Sequence, residues 1–122
     1  MRFEQKAGKY TIILDAQTIG SDILVTIFGG DEYHIGGISV AYPTKSHYRD
    51  ATTISLNSIT LPGHKDYILS NEIAEKIAGA LEKVVTVVVG IHMEHATKDD
   101  IEMAVKTSHH LVDEFLYKHT SE

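Results

Sequence analysis

Apolar and polar positions alternate in the first half of the chain, which is the pattern of β-strands. Tyr10, Ile12 and Leu14 occupy every second position, as expected for a strand that buries one face. The strands predicted in this half cover residues 10–15, 23–28, 35–42 and 51–57. Pro43 cannot donate to a neighbouring strand and is predicted to end the third of them. Short connections between these strands favour an antiparallel meander.

The hydrophobic period changes after residue 63. Apolar residues recur at every fourth position from Leu69 to Leu81, which predicts an amphipathic helix. The run at residues 84–89 is too short and too β-branched for a helix. It predicts a strand that is covered on both faces and lies inside the sheet. Thr97 is a suitable N-cap for a last helix that runs to about Lys118.

The order of these elements predicts one α+β domain spanning residues 1–122. Strands followed by helices favour two layers, a mostly antiparallel sheet with both helices packed on one face. A length of 122 residues is usual for one compact domain. Hydrophobic and charged fractions of 43% and 23% are those of a globular protein.

The composition excludes several classes of protein. Without cysteine the chain has no disulfides, thiolate metal sites or cysteine nucleophile. The net charge is −6 and no basic cluster is present, so we expect no nucleic-acid partner. The longest apolar stretch, residues 84–91, is far shorter than the roughly 20 residues of a membrane-spanning helix. The first residues lack the apolar segment of a signal peptide, so we expect a cytoplasmic protein without a membrane partner.

Three loops combine histidine with glycine or proline and form the candidate binding site. The first, residues 29–37, contains four glycines together with Asp31 and His34. Glycines such as Gly30 permit positive φ angles and the close approach of a ligand. The same residues also suit a hairpin turn with a β-bulge. Both interpretations stay open, and the spacing matches no nucleotide-binding motif.

The second loop, residues 61–66, lies where a strand gives way to a helix. His64 and Lys65 stand at a predicted helix N-terminus, which is a natural place to hold an anion. The alternative is a plain helix start capped by Asp66 or Ser70.

The third loop, residues 89–97, follows the strand predicted to be central. Ligand sites gather where central strands of such sheets end. His92 and Glu94 point the same way if the strand continues, and Glu94 could orient the imidazole or help to bind a metal. The alternative is a pair of structural or surface residues.

Recognisable catalytic motifs are absent from the sequence. It has no G-x-S-x-G elbow and no H-E-x-x-H helix. His109 and His110 are adjacent, so on a helix they point about 100° apart and are interpreted as solvated residues. We assign no catalytic residue.

In order along the chain, Gly29-Gly30-Asp31 with His34, Pro62-Gly63-His64-Lys65, and Gly90 to Thr97 resemble the motifs of a small prokaryotic family. That family is related to the D component of gallate decarboxylase and is described as prenylated-flavin chaperone-like. Its fold is similar to that of the proteasome assembly chaperones, especially chaperone 4. The resemblance covers residues 10–116. In the third motif this chain has Glu94 and His95 where we expect Asp and Asn, which leaves the exact ligand role of this loop open.

The resemblance implies a homodimer that serves a prenylated-flavin-dependent decarboxylase without being the catalyst. It also implies flavin mononucleotide or its prenylated form as the cofactor handled. His34, His64 and His92 are the matched histidines.

Two rival hypotheses remain at this point. One is a small metal-dependent enzyme with these three histidines as ligands, as in many catalytic zinc sites. The other is a purely structural dimer whose histidine loops only turn the chain.

Overall fold

The structure, a computed structural model, describes residues 1–45, 51–62 and 66–121. Within these ranges the chain forms one six-stranded sheet and two α-helices. The elements in chain order are β1 (Arg2–Ala7), β2 (Tyr10–Ile19), β3 (Asp22–Gly30), β4 (Glu32–Lys45), β5 (Thr52–Thr60), α1 (Asp66–Leu81), β6 (Val85–His92) and α2 (Lys98–Ser121). The strands lie in the order β1-β2-β3-β6-β4-β5, and β3 and β6 form the parallel pair.

Both helices pack on the same face of the sheet and enclose one hydrophobic core. α1 lies over β4, β5 and β6, whereas α2 lies over β1 and β2. Val87 in the central strand, Ile77 in α1 and Phe115 in α2 are buried together in this core. Burying a side chain of this kind stabilises the fold by about 1.5–3 kcal/mol. The predicted two-layer α+β architecture, with both helices on one face, is confirmed.

The position of β6 differs from the predicted meander. β6 lies between β3 and β4, although only Asp31 separates those two strands in the chain. A short connection favours pairing, but β6 is the most apolar strand, and insertion at the centre of the sheet buries it. Val85, Val87 and Val89 are fully buried there. The prediction that this strand lies inside the sheet is confirmed, and the predicted pairing of β3 with β4 is wrong.

The second face of the sheet is not covered by a described helix. In β6, Thr86 and Val88 point to this face and are only half-buried. The cover predicted for both faces of β6 is therefore not supplied by the described residues, and this open face carries apolar side chains.

Two strand boundaries differ from the predictions. β1 lies outside the predicted strands, because this polar edge segment has no alternating apolar pattern and its backbone is held by pairing with β2. β4 continues through Pro43 to Lys45 and pairs with β5. The pairing of β4 with β6 stops at Ala41, so Pro43 has β5 as its neighbour and its missing N–H leaves the β4–β6 ladder intact.

The last helix begins as its sequence predicts. The hydroxyl of Thr97 accepts a hydrogen bond from the backbone N–H of Asp100 (3.1 Å), and the Asp100 carboxylate accepts one from the N–H of Thr97 (3.0 Å). This reciprocal pair is a capping box. Ile101, in the first turn of α2, is 51% exposed. Neither described helix is long and apolar enough to cross a membrane.

One of the paired histidines in α2 contacts α1. The ring of His109 lies with Nε2 3.1 Å from the carboxylate of Glu72 and Nδ1 3.4 Å from the ammonium of Lys76. Its side chain is 28% exposed, so the interpretation of His109 as a solvated residue is wrong. His110 is exposed, as expected.

Candidate functional site

The turn between β3 and β4 is tied directly to the loop that follows β6. The backbone N–H of Asp31 donates to the carbonyl of His92 (2.7 Å), and the Asp31 carboxylate accepts from the N–H of Glu94 (2.7 Å). Gly30 has a φ of +87°, and a Cβ there would overlap the His92 carbonyl. Glycine is thus required at this position by backbone conformation and by close packing of the two loops.

A wide bulge in β4 presents His34 to the end of β6. The register of β4 against β6 jumps from Tyr33 to Gly37, so that residues 34–36 lie opposite Gly90 alone. A side chain on Gly90 would overlap the backbone carbonyl of His34, and one on Gly36 would overlap the carboxylate of Asp66. The bulge therefore depends on glycine at both contact points.

His34 is paired with Asp66, the first residue of α1. The imidazole Nε2 lies 3.2 Å from the carboxylate Oδ2, and the two side chains are 22% and 13% exposed. The second oxygen, Oδ1, accepts a hydrogen bond from the backbone N–H of Ile91 at 3.3 Å. Asp66 therefore connects the bulge of β4, the end of β6 and the start of α1.

His92 lies beside His34 and is more open to solvent. The two ring centroids are 6.0 Å apart and the ring planes are nearly perpendicular, at 82°. The Nε2 atom of His92 lies 3.1 Å from the carboxylate of Glu94, and its side chain is 41% exposed. Glu32 is the cross-strand partner of His92 at the start of β4. The His-x-Glu pattern thus gives an oriented imidazole at the edge of the cluster.

Five of the seven predicted site residues lie in this cluster, namely Gly30, Asp31, His34, His92 and Glu94. The other two, His64 and Lys65, lie outside the described residues. Sequence reasoning does not place Asp66 or Glu32 in the site. It treats Asp66 only as a helix cap, although the position of this residue directly after the Pro-Gly-His-Lys loop is a usable signal.

The third loop turns sharply after the histidine–glutamate pair. His95 has a φ of +53°, in the left-handed region that Asn, Asp and His adopt more readily than other residues with a side chain. This explains in conformational terms why His can stand where Asn was expected.

The cluster is rich in hydrogen-bonding groups and acidic in its described part. Three carboxylates hydrogen-bond beside the two imidazoles, those of Asp31, Asp66 and Glu94, and a fourth acidic residue, Glu32, is paired with His92 across the strands. Among the described residues no group of three or more His, Asp or Glu side chains is arranged to hold a metal ion. Chemically, the described part can orient imidazoles and accept hydrogen bonds.

Two surface cavities lie away from this cluster. One of about 350 Å³ is lined by residues of β1, β2 and β3, including Arg2 and Thr26. Another of about 700 Å³ lies where β3 begins and α2 ends, beside Ile23 and His119. Neither is lined by a candidate site residue. The histidine cluster remains the better candidate for a ligand site, because several polar side chains that could recognise a ligand meet there. The shape of a surface cavity alone does not indicate a ligand.

Comparisons with known proteins agree with the three-loop resemblance. The family model of the prenylated flavin chaperone LpdD-like domain matches residues 6–120. Protein LpdD of Lactiplantibacillus plantarum is 29% identical over 102 residues, which are 84% of this chain and 72% of that protein. The fold is similar to a chain in the crystal structure of a chaperone complex for yeast 20S proteasome assembly. The TM-score is 0.59 at 12% identity, with 99% of this chain and 94% of that chain covered.

The structural likeness, at that low identity, shows the fold alone. The family model carries more, because it spans nearly the whole chain and includes all three histidine loops. This protein therefore belongs to the family of prenylated flavin chaperone LpdD-like domains.

Proposed function

We propose that this protein is an accessory, chaperone-like protein that assists cofactor loading or maturation of a prenylated-flavin-dependent decarboxylase. The observation that carries the proposal is the family match from residue 6 to residue 120. The convergence of His34 and His92, 6.0 Å apart, supplies a place for the interaction. In this proposal the decarboxylation chemistry belongs to the flavin in the partner enzyme, and the residues of this chain bind and orient the flavin as cargo.

The charges of the described cluster decide which part of a flavin it suits. The three carboxylates that hydrogen-bond in this cluster, those of Asp31, Asp66 and Glu94, disfavour a phosphate, because like charges at short range repel each other. The carboxylate of Asp66 already interacts with the partial positive charge at the N-terminus of α1. We therefore expect the ring system to contact His34 and His92. The phosphate, if held, needs the basic residues His64 and Lys65 of the second loop.

A titration of the purified protein tests the cofactor half of the proposal. Flavin mononucleotide and its prenylated form are added separately, and visible absorbance and the unfolding temperature are followed. We expect binding, and we expect His92→Ala to weaken it about tenfold, because a hydrogen-bonding group of the flavin left unpaired costs about 1–3 kcal/mol. The matched control is His110→Ala, an exposed histidine on α2 away from the cluster. If neither flavin changes the absorbance spectrum or the unfolding temperature, the cofactor half of the proposal is contradicted.

A maturation assay tests the partner half. A prenylated-flavin-dependent decarboxylase is produced with and without this protein, and its cofactor content and activity are compared. We expect higher occupancy with the protein present and little gain with His92→Ala. Equal occupancy in all three cases would remove the accessory role. The metal-dependent enzyme is not favoured, because the family match points to a chaperone.

We further propose that the protein is a homodimer joined through the open face of the sheet. Leu24, Val88, Ile38, Val40 and Ile59 point to this face in register across β3, β6, β4 and β5. A sheet face that meets water normally carries mainly polar residues, whereas this one presents these five apolar side chains around Thr26 and Thr86. Packing of two such faces, as in a β-sandwich, would cover these side chains.

The oligomeric state of two lysine variants tests this assembly. Ile59 is 60% exposed on the open face, and Tyr117 is 77% exposed on α2, on the opposite layer. By light scattering we expect the wild type and Tyr117→Lys to show twice the 13.5 kDa of one chain. We expect Ile59→Lys to dissociate, because it places like charges near each other across a two-fold interface. A wild type of single-chain mass, or an unchanged Ile59→Lys, would refute the face proposed.

A further inference from the structure

The two edge strands of the sheet differ in charge. In β1, Met1 and Ala16 exchange two backbone hydrogen bonds of 2.8 Å, so the alternate residues of this strand turn their backbone groups away from β2. These outward residues are Arg2, Glu4 and Lys6. Charged residues on an exposed edge hinder pairing with a further strand. The other edge strand, β5, contains no charged residue and lacks this protection.

Half of the backbone groups of β5 point out of the sheet. Leu61, just beyond the strand, donates its N–H to the carbonyl of Gly36 at 3.0 Å. Hydrogen-bonded pairs recur at every second residue of an antiparallel ladder, so the odd-numbered residues of β5 bond to β4. The even-numbered residues turn N–H and C=O outward, namely Thr52, Ile54, Leu56, Ser58 and Thr60. Among the described residues no strand pairs with this side of β5.

We propose that the outer edge of β5 binds an extended segment of the partner enzyme, which adds to the sheet as a further strand. Only an extended backbone presents donors and acceptors in the alternation that this edge requires. Because the edge is uncharged, it suits an uncharged strand that the partner exposes before its folding is complete. The identity of this partner rests on the proposed function, in which the protein assists maturation of a decarboxylase.

A second copy of this chain is the less suitable occupant of the β5 edge. The homodimer proposed for this protein joins the open face of the sheet, and that packing covers side chains and leaves the edges free. Pairing of β5 with β5 as well would build assemblies larger than a dimer. Each copy also carries a net charge of −6, and the uncharged edge offers nothing that offsets the repulsion.

Amide hydrogen exchange, followed by NMR, tests the pairing residue by residue. The probe is a soluble peptide of alternating threonine and valine, as long as β5. The outward amides of β5 should exchange fast in the free protein and at least about tenfold more slowly with the peptide. The amides bonded to β4 should be slow in both states. The outward amides of β1 are the internal control and should not change. The same peptide with methylated backbone nitrogens should protect no amide, because it cannot donate and its methyl groups prevent close approach.

Two proline variants test the same edge in the full chain. Ser58→Pro removes one outward N–H of β5 and leaves the hydrogen bonds to β4 intact. Glu4→Pro is the matched control, because it removes one outward N–H of β1. We expect Ser58→Pro to bind the peptide about tenfold more weakly, because a backbone group of the peptide loses its partner. This variant should also give less cofactor occupancy in the maturation assay, whereas Glu4→Pro should match the wild type in both measurements.

Several outcomes would overturn the proposal. Outward amides of wild-type β5 that stay fast with the peptide would do so by themselves, even if Ser58→Pro did not fold. Equal protection by the methylated peptide would do so as well. Outward amides that are slow without peptide and become fast on dilution would assign the edge to a second copy. If the wild type raises no cofactor occupancy, the proposed function fails, while the exchange rates still decide whether β5 accepts a strand.

Discussion

Replacement of Gly90 by alanine tests the close contact on which the histidine cluster is built. Gly90 lies in β6 opposite the bulge of β4, and an added methyl would overlap the carbonyl oxygen of His34 and lie 3.1 Å from the nitrogen of Ile35. Both obstacles are backbone atoms, so no side-chain rotation relieves the overlap. Gly90 has no positive φ, and the expected effect is therefore steric alone.

The expected cost follows from two contributions. Overpacking of a well-packed region costs about 1–3 kcal/mol, and a backbone obstacle places this case at the upper end. Moving the bulge also weakens the hydrogen bond between His34 and Asp66. We expect Gly90→Ala to lose about 3 kcal/mol of unfolding free energy, or about 10 °C in melting temperature for a chain of this size.

The same substitution elsewhere in the chain provides the control. Gly79 is exposed inside α1, and an added methyl would meet no atom within 4 Å. Alanine there should stabilise the protein by about 0.5–1 kcal/mol, because glycine is a poor helix former. Urea unfolding of both variants, with the slope checked for constancy, measures the two effects. A Gly90→Ala protein as stable as the wild type would show that His34 does not pack against β6 as described.

Three further predictions concern the ends of the two helices. Thr97→Ala removes the cap of α2 and should cost about 1 kcal/mol in urea unfolding, whereas an unchanged midpoint would refute the capping box. The backbone hydrogen bond from Thr97, followed by the bond to its side chain, lowers the pKa of Asp100 below its usual 3.8. The stabilising contribution of Asp100 should therefore be present above pH 4 and lost as the pH falls through the lowered value, so the advantage of wild type over Asp100→Asn should disappear in acid. Glu82 directly follows α1 and has a φ of +52°, so Glu82→Gly should raise the unfolding free energy by about 1 kcal/mol. A lower unfolding free energy would show that the Glu82 side chain contributes more than relief of the backbone strain.

The helices and the central strand could be predicted from sequence because their signals are local. The four-residue period from Leu69 to Leu81 falls within α1, and the apolar run at residues 84–89 falls almost wholly within β6. Thr97 was equally visible as the cap of α2. Each of these patterns involves residues that are close together in the sequence. Secondary structure depends directly on such local patterns of burial and hydrogen bonding.

The candidate site was predictable in its histidine loops and not in its connections. His34 and His92 stand out in the sequence because histidines beside glycines at element ends are unusual. The role of Asp66 cannot be read from the sequence, because its two hydrogen-bond partners, His34 and Ile91, are 32 and 25 residues away. From the sequence, glycines in these loops suggest either room for a ligand or a tight turn. In the structure, Gly36 instead closely contacts Asp66, and Gly90 closely contacts the backbone of His34.

The sequence by itself determined the α+β class, the two helices, the apolar central strand and which loops carry histidine. Only the tertiary structure decided that β6 separates β3 from β4, that one sheet face is left open by the described helices, and that Asp66 joins two strands and a helix. The physical reason is that periodicity encodes whether a residue is buried, whereas pairing depends on which distant segment supplies its hydrogen bonds and fills the space beside it.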